Sequence, residues 1–286
     1  MKKKLHIAVQ KSGRLHDESL KLLNDCGISI DNGKDQLKAV ARNFPLEIFY
    51  LRNGDIPQYL RDGVVDIAII GENLLVEKGD DILIKEKLGF SKCRVSIAIP
   101  KEDTYKGVES LIGKKIATSY PNTVKGFLVE KGIDAELHII NGSVEIAPNI
   151  GLSDAVCDIV SSGSTLFKNN LKEVEVLFKS EAVLAANSTL DAEKNDILKK
   201  LQFRIQSVLK GRQSKYILMN VPNDSIDRIS SILPVLKSPT VLPLAEPGWS
   251  SLHSVINEGK FWEVIDELKA AGAQDILVCP VEKMVL

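Results

Sequence analysis

Short apolar runs at 5–9, 46–51, 65–70, 94–99, 115–118, 136–140 and 158–160 alternate along the chain with segments whose apolar positions recur every three or four residues. Runs of the first kind predict strands and the second kind amphipathic helices. Residues 17–26 bring Leu20, Leu22 and Leu23 to one helical side, and 123–131 ends at Gly132, the place of a C-terminal cap. Strands bounded by Gly, Asn or Pro and followed by helices predict α/β architecture with parallel sheets.

A further apolar run, Ala182–Ala186, precedes one long helix over 191–211. Asp191 is placed to cap it, Ile197, Leu198, Leu201, Ile205 and Val208 form its stripe, and Gly211 ends it. A new rhythm follows: strand 215–221, helix 225–233, strands 240–244 and 251–256, helix 261–271 stopped by Gly272, strand 275–278. That βαββαβ order is the ferredoxin-like, split βαβ arrangement, and it predicts a domain boundary near 212–214.

A chain of 286 residues, 44% hydrophobic and 26% charged, has the length and composition for two or three domains. Lys+Arg 37 against Asp+Glu 38 leaves a net charge of -1, with no basic segment of the kind that binds nucleic acid. Lys2-Lys3-Lys4 reads as a solvated end. There is no apolar run of the roughly 18 residues a membrane span requires. The apolar stretch that closes at Gln10-Lys11 is too short for a secretory core, so the expected location is cytoplasmic. Four cysteines and four histidines are scattered without a CxxC pair, which argues against a structural zinc site.

The chemistry concentrates at 151–166. An apolar strand end, Ile159-Val160, runs into Ser161-Ser162-Gly163-Ser164-Thr165 and then a short helical piece. Consecutive amides in such a turn converge on one anion, and the hydroxyls supply further donors. Few cations accompany them, which suits a phosphate monoester, and Asp158 just ahead is placed to accept from the vicinal hydroxyls of a ribose. The alternative is an ordinary polar strand-to-helix turn with Asp158 as a surface charge, and the pattern alone does not separate the two. Gln10-Lys11-Ser12-Gly13-Arg14 after the first strand and Gly71-Glu72-Asn73 after the 65–70 strand occupy carboxyl edges, where open parallel sheets bind ligands.

Taken in order, Gln10-Lys11-Ser12-Gly13-Arg14-Leu15, Asp66 to Asn73, Ala117 to Pro121, Asn141-Gly142-Ser143-Val144-Glu145 to Pro148, Asp154 to Leu171, Ser238-Pro239-Thr240 to Leu244 and Asp275 to Met284 give a chain that resembles the long form of the ATP phosphoribosyltransferases. These begin histidine biosynthesis. The resemblance implies two α/β lobes of periplasmic-binding-protein type, 1–95 with 182–211 and 96–181, plus a C-terminal ferredoxin-like regulatory domain at 215–286. It implies transfer of the 5-phosphoribosyl group of phosphoribosyl pyrophosphate to N1 of ATP, with release of pyrophosphate, Mg²⁺ held by substrate phosphates, and feedback inhibition by histidine. Dimers and hexamers of the chain are the implied assemblies.

The same resemblance assigns Ser161, Ser162, Gly163, Ser164 and Thr165 to the 5-phosphate, with Asp158, Asp154 and Glu145 as further contacts to the donor. Asp154 is expected on a helix, and Glu145 in the first turn of a helix opened by Ser143. Lys11, Gly13, Arg14, Arg52, Glu72 and Tyr120 fall to the ATP side, Tyr120 as a platform for adenine, although packing on Pro121 is its plainer role. Asn220, Ser238 and Thr240 are the implied contacts to histidine. The family loop usually carries Thr where Ser162 stands and often Ala at Ser164. A hydroxyl survives at Ser162, so the phosphate role is retained. No general base is assigned, because the nucleophile belongs to the substrate. Two rivals share parts of this pattern: a binding protein that holds a small anion without turning it over, and a phosphoribosyltransferase acting on a free base.

Overall fold

The computed structural model describes residues 3–31, 36–79, 81–233 and 238–285, so Lys2 of the leading lysine run lies outside the described residues. In chain order the elements are β1 (Leu5–Gln10), α1 (Arg14–Asp25), β2 (Lys38–Val40), β3 (Leu46–Leu51), α2 (Ile56–Arg61), β4 (Ile67–Gly71), α3 (Glu72–Lys78), β5 (Leu83–Lys87), β6 (Cys93–Pro100), β7 (Lys115–Thr118), α4 (Pro121–Lys131) and β8 (Glu136–Ile139). They continue with β9 (Ala155–Val160), α5 (Ser164–Lys168), β10 (Leu171–Ser180), β11 (Ala182–Ala186), α6 (Ala192–Arg212), β12 (Ser214–Pro222), α7 (Ile226–Ile232), β13 (Thr240–Pro243), β14 (Trp249–Asn257), α8 (Glu258–Ala270) and β15 (Gln274–Pro280).

The first lobe is a sheet in the order β2-β3-β1-β4-β11-β5. Its central strands are apolar without alternation: Ile67, Ala68, Ile69 and Ile70 are all buried, as are Ala182 to Ala186, because helices cover both faces. One of those faces packs Ile56 and Leu60 of α2 and Leu74 and Leu75 of α3 against Ala8, Ile70 and Val183. The second lobe is a sheet in the order β10-β6-β9-β7-β8, with Val124 and Leu128 of α4 against Ile97, Ile116 and Cys157 on one side. Val144, Val156, Val160 and Leu166 pack on the other. Two crossings join the lobes, one between β5 and β6 and one between β10 and β11. This is the two-lobed α/β arrangement of periplasmic-binding-protein type.

Both sheets are mixed, where the sequence pattern predicts parallel ones. β1 runs parallel to β3 and β4, and β7 to β8 and β9, but β11 is antiparallel to β4 and β5, and β6 to β9 and β10. The antiparallel strands β5, β6, β10 and β11 flank the crossings, where the chain enters a lobe from its neighbour, and the short edge strand β2 also runs antiparallel to β3.

Residues 25–27 and 199–286 form a compact unit separate from the one that holds both lobes. Within this unit the sheet order is β13-β14-β12-β15, entirely antiparallel, with α7 and α8 on one face over Ile217, Met219, Val221 and Leu252. That is the ferredoxin-like order. The break between units falls inside α6, ahead of 212–214, because the second half of that helix is bound to its own unit. Arg212 donates to Asp25 at 2.7 Å, Arg204 to the Cys26 carbonyl at 3.3 Å, and Met284 N–H to the Ser207 carbonyl at 2.9 Å. No helix among the described residues is long and apolar enough to cross a membrane.

Candidate active site

β9 builds the site. Its buried residues Ala155 to Cys157 fix it between β6 and β7, and side chains two apart share a face. Asp158 therefore stands on the same face as Val156 and Val160, at the margin of the apolar cluster that includes Val144 and Leu166. Burial pushes its carboxyl above the ordinary carboxylate range, and the nearby Glu145 charge pushes the same way. Its Oδ1 accepts from Ile159 N–H at 2.8 Å and from the Ser119 hydroxyl at 3.4 Å. Among the described residues Oδ2 has no donor.

Past Val160 the chain turns through Ser161 to Gly163 and enters α5. Gly163 adopts φ 78, ψ 0, the left-handed region that disfavours a Cβ. Open space, with no atom within 4 Å, surrounds the position a Cβ there would take, so the glycine serves the backbone angle and not close packing. Among the described residues the amides of Ser162 and Gly163 donate to no protein acceptor. The Ser162 and Ser164 hydroxyls lie 3.0 Å apart. A cavity of about 230 Å³ is lined by Glu145, Val156 and the continuous run 158–166. Unpaired amides, adjacent hydroxyls and a carboxylate on one wall make a receptor for an anionic group that carries hydroxyls.

The first lobe reaches this loop through Arg14, whose Nη1 lies 3.5 Å from the Ser161 hydroxyl while Nε pairs with Glu18 at 3.4 Å. Arg14, which the resemblance assigns to the ATP side, thus stands beside the 161–165 turn. Lys11 and Arg52 are exposed at the adjoining carboxyl ends of β1 and β3, where Lys11 N–H donates to the Leu51 carbonyl at 2.8 Å. Gly13 holds φ 90 in the same loop. Glu72 opens α3 at the end of β4 and pairs with Lys87 at 3.2 Å.

The family described as ATP phosphoribosyltransferase matches residues 52–207, and the family described as the HisG C-terminal domain matches 211–283. The ATP phosphoribosyltransferase of Cytophaga hutchinsonii is 57% identical over 281 residues, 98% of each chain. This chain belongs to the ATP phosphoribosyltransferase family. The ATP phosphoribosyltransferase of Parabacteroides distasonis is 52% identical over 282 residues, 99% of this chain and 100% of that one. In solved structures, the ATP phosphoribosyltransferase (HisG:HisZ) complex from Thermotoga maritima aligns with a TM-score of 0.60 at 29% identity, over 71% of this chain and 98% of that chain. The chain is an enzyme of pentosyl transfer, acting at the first step of histidine biosynthesis.

Three of the residues assigned from this ATP phosphoribosyltransferase resemblance stand differently from expectation. Asp154 is not on a helix and does not join the loop. β9 begins at Ala155, so its six residues separate Asp154 from Ser161 by roughly 20 Å. There the carboxylate accepts from Lys115 N–H at 2.8 Å and from Lys114 Nζ at 3.3 Å, and these hold it below the usual carboxylate range. Glu145 does line the cavity, but in a 3-10 turn, Val144–Ile146, and Ser143 at φ 48 gives that turn no side-chain cap. Tyr120 is 8% exposed, and its hydroxyl accepts from Asn73 Nδ2 at 3.0 Å, which leaves too little ring surface for a base to stack on.

Asn73, which the sequence places with Gly71 and Glu72 at a carboxyl edge, and Glu77, which sequence reasoning passed over, join the lobes. Asn73 N–H donates to the Ser180 hydroxyl at 2.9 Å, beside its bond to Tyr120. Glu77, 4% exposed on α3, accepts from Asn122 N–H at 3.0 Å, Thr123 N–H at 2.9 Å and the Thr123 hydroxyl at 2.8 Å. It satisfies the first amides of α4 from the opposite lobe, a capping role that local patterns do not carry because the two helices are far apart in sequence. Glu77→Ala is expected to lower unfolding stability by about 1–2 kcal/mol, read from the denaturant midpoint, since three part-buried donors at the start of α4 lose their acceptor.

Proposed function

We propose that the cavity walled by 158–166 binds phosphoribosyl pyrophosphate and that the enzyme transfers its 5-phosphoribosyl group to N1 of ATP. The observation that carries this reading is the pairing of unsatisfied Ser162 and Gly163 amides with an Asp158 oxygen that lacks a donor, on one cavity wall. The 5-phosphate lies against those amides and the Ser161, Ser162, Ser164 and Thr165 hydroxyls. Ionised Asp158 accepts from the ribose hydroxyls, and Arg14 offers its guanidinium to the donor's phosphates. Lys11 and Arg52 meet the triphosphate at the ends of β1 and β3, with Gly13 and Glu72 beside them.

In the reaction the lone pair of adenine N1 forms the bond to C1 of the ribose. The bond from C1 to the pyrophosphate oxygen breaks, and its electron pair departs with pyrophosphate. Positive charge builds on the ring as in other glycosyl transfers. The protein's part is alignment of two anionic substrates, where effective molarities on the order of 10⁵ M are attainable. Magnesium is the implied companion of the pyrophosphate. The residues fit it: Glu145 makes no hydrogen bond among the described residues, and Mg²⁺ takes few carboxylates when phosphate oxygens complete its shell. When bound it supplies charge neutralisation of the leaving group.

The ferredoxin-like unit is proposed as the seat of histidine inhibition. Asn220 Nδ2 donates there to Asp275 at 3.0 Å, and Thr240 lies exposed on β13, paired in register with His253. Ser238 precedes that strand and is exposed.

ATP, phosphoribosyl pyrophosphate and Mg²⁺ incubated with the enzyme and a pyrophosphatase are expected to yield phosphoribosyl-ATP, seen by ultraviolet absorbance and mass. Product from a free purine or pyrimidine instead of ATP would transfer the reading to a different acceptor. Histidine added to the same assay is expected to suppress the rate; an unchanged rate at millimolar histidine removes the regulatory role.

A further inference from the structure

Arg94 stands at the start of β6, just ahead of its buried run, with a side chain that is 30% exposed and paired. Its Nε and Nη2 meet the two carboxylate oxygens of Glu173 on β10, and Nη1 donates to the main-chain carbonyl of Ser161 at 3.2 Å. The guanidinium holds the Glu173 carboxyl below the usual carboxylate range. Arg94 is not part of the cavity wall, whereas Ser161 is. The fork therefore grips the first residue of the phosphate loop by its backbone.

We infer that Arg94, oriented by Glu173, is a positioning residue that preorganises the phosphate loop for the phosphoribosyl donor. The inference rests on the proposal that this loop binds phosphoribosyl pyrophosphate. A loop that binds an anion through main-chain N–H groups must keep its carbonyls turned away, because a carbonyl oxygen aimed at the phosphate repels it. The peptide that follows Ser161 carries both the Ser161 carbonyl and the Ser162 N–H. In a trans peptide these point in opposite directions, so fixing one aims the other. By holding the Ser161 oxygen, Arg94 fixes the direction of the Ser162 amide, one of the two that lack an acceptor. Gly163 in its left-handed conformation then orients the next. The contact needs the planar fork: two donors for Glu173 and a third for the carbonyl, with the plane set by the carboxylate. A lysine at this place keeps the charge and cannot hold both partners in that geometry.

The test is calorimetric titration of the full-length enzyme with phosphoribosyl pyrophosphate, joined to separate KM values for donor and ATP, on wild type, Arg94→Lys and Glu173→Gln. Arg94→Lys is expected to bind the donor about tenfold more weakly, with KM for ATP within about twofold of wild type and thermal unfolding little changed. Glu173→Gln keeps the grip on Ser161 but loosens the plane, and is expected to weaken donor binding about threefold in the same selective way. Unchanged donor affinity in Arg94→Lys, or equal losses for both substrates, overturns the inference. Should Arg94→Lys fail to fold, the Glu173→Gln comparison decides by the same criterion. A wild-type enzyme that binds no phosphoribosyl pyrophosphate defeats instead the reading of the loop on which this inference stands.

Discussion

Gly163→Asp is expected to reduce phosphoribosyl transfer by about a thousandfold or more while the chain stays folded. The backbone there sits at φ 78, and the space a Cβ would enter is empty to 4 Å. Replacement therefore meets no clash, and its backbone penalty is about 1–2 kcal/mol at most, less for Asp or Asn, which visit this region more readily than other side chains. What changes is charge. A carboxylate arrives on the cavity wall among the amides proposed to hold a phosphate, and two anions at close range with few intervening cations repel strongly. Gly163→Asn is the control, because it has the same shape and backbone tolerance without the charge. It is expected to retain far more activity than the aspartate variant. Initial rates beside thermal unfolding curves give the comparison; equal losses in the two variants would show that shape, not charge, was at stake.

Asp158→Asn is expected to separate function from stability, lowering turnover about a hundredfold while raising the unfolding temperature at neutral pH. The amide oxygen can keep the bonds from Ile159 N–H and the Ser119 hydroxyl. It presents no anion to the ribose hydroxyls. The stability gain follows from the raised pKa of the wild-type carboxyl, caused first by burial and then by the Glu145 charge. An acid whose folded pKa exceeds its unfolded value binds its proton more tightly when folded, so its ionisation works against the fold. The penalty is complete above the folded pKa and absent below the unfolded one. The advantage of Asp158→Asn should accordingly shrink as pH falls through that window, and vanish below it. Donor affinity of the wild type should decline over the same titration, beginning at a higher pH than an ordinary carboxylate would give. Matched unfolding curves and donor titrations across the acid range read both effects.

Much of this site was legible in the amino-acid sequence because it is local. The strand end, the run of small hydroxylic residues and the carboxylate ahead of them are contiguous from Asp158 to Thr165, although a turn of that composition alone does not distinguish an anion site from an ordinary polar turn. The ferredoxin-like unit was equally readable, since its two central strands, β12 and β14, alternate: in β12 Ile217, Met219 and Val221 point to the core while Leu218 and Asn220 do not. β10 was not visible. Register shifts between Glu173 and Glu175 and between Val176 and Phe178 break its alternation, and the strand lies at a sheet edge. β2 is three residues long and β5 is mostly exposed, so neither carries an apolar signature.

Asp154 was misplaced for a related reason. The polar Asp158 inside β9 made the strand look as if it began there, when buried Ala155 to Cys157 already belong to it. Contacts between distant segments left no mark at all: Arg14 on Ser161, Glu77 on the start of α4 and Arg94 on the loop carbonyl exist only once the sheets are assembled.

A crystal of the enzyme grown with phosphoribosyl pyrophosphate and Mg²⁺ tests the central claim most directly. The 5-phosphate oxygens are expected within about 3 Å of the Ser162 and Gly163 amide nitrogens, with a ribose hydroxyl on Asp158 Oδ2. Donor density elsewhere, for instance against Lys114 and Asp154 at the far end of β9, with the 161–165 turn unengaged, would contradict it.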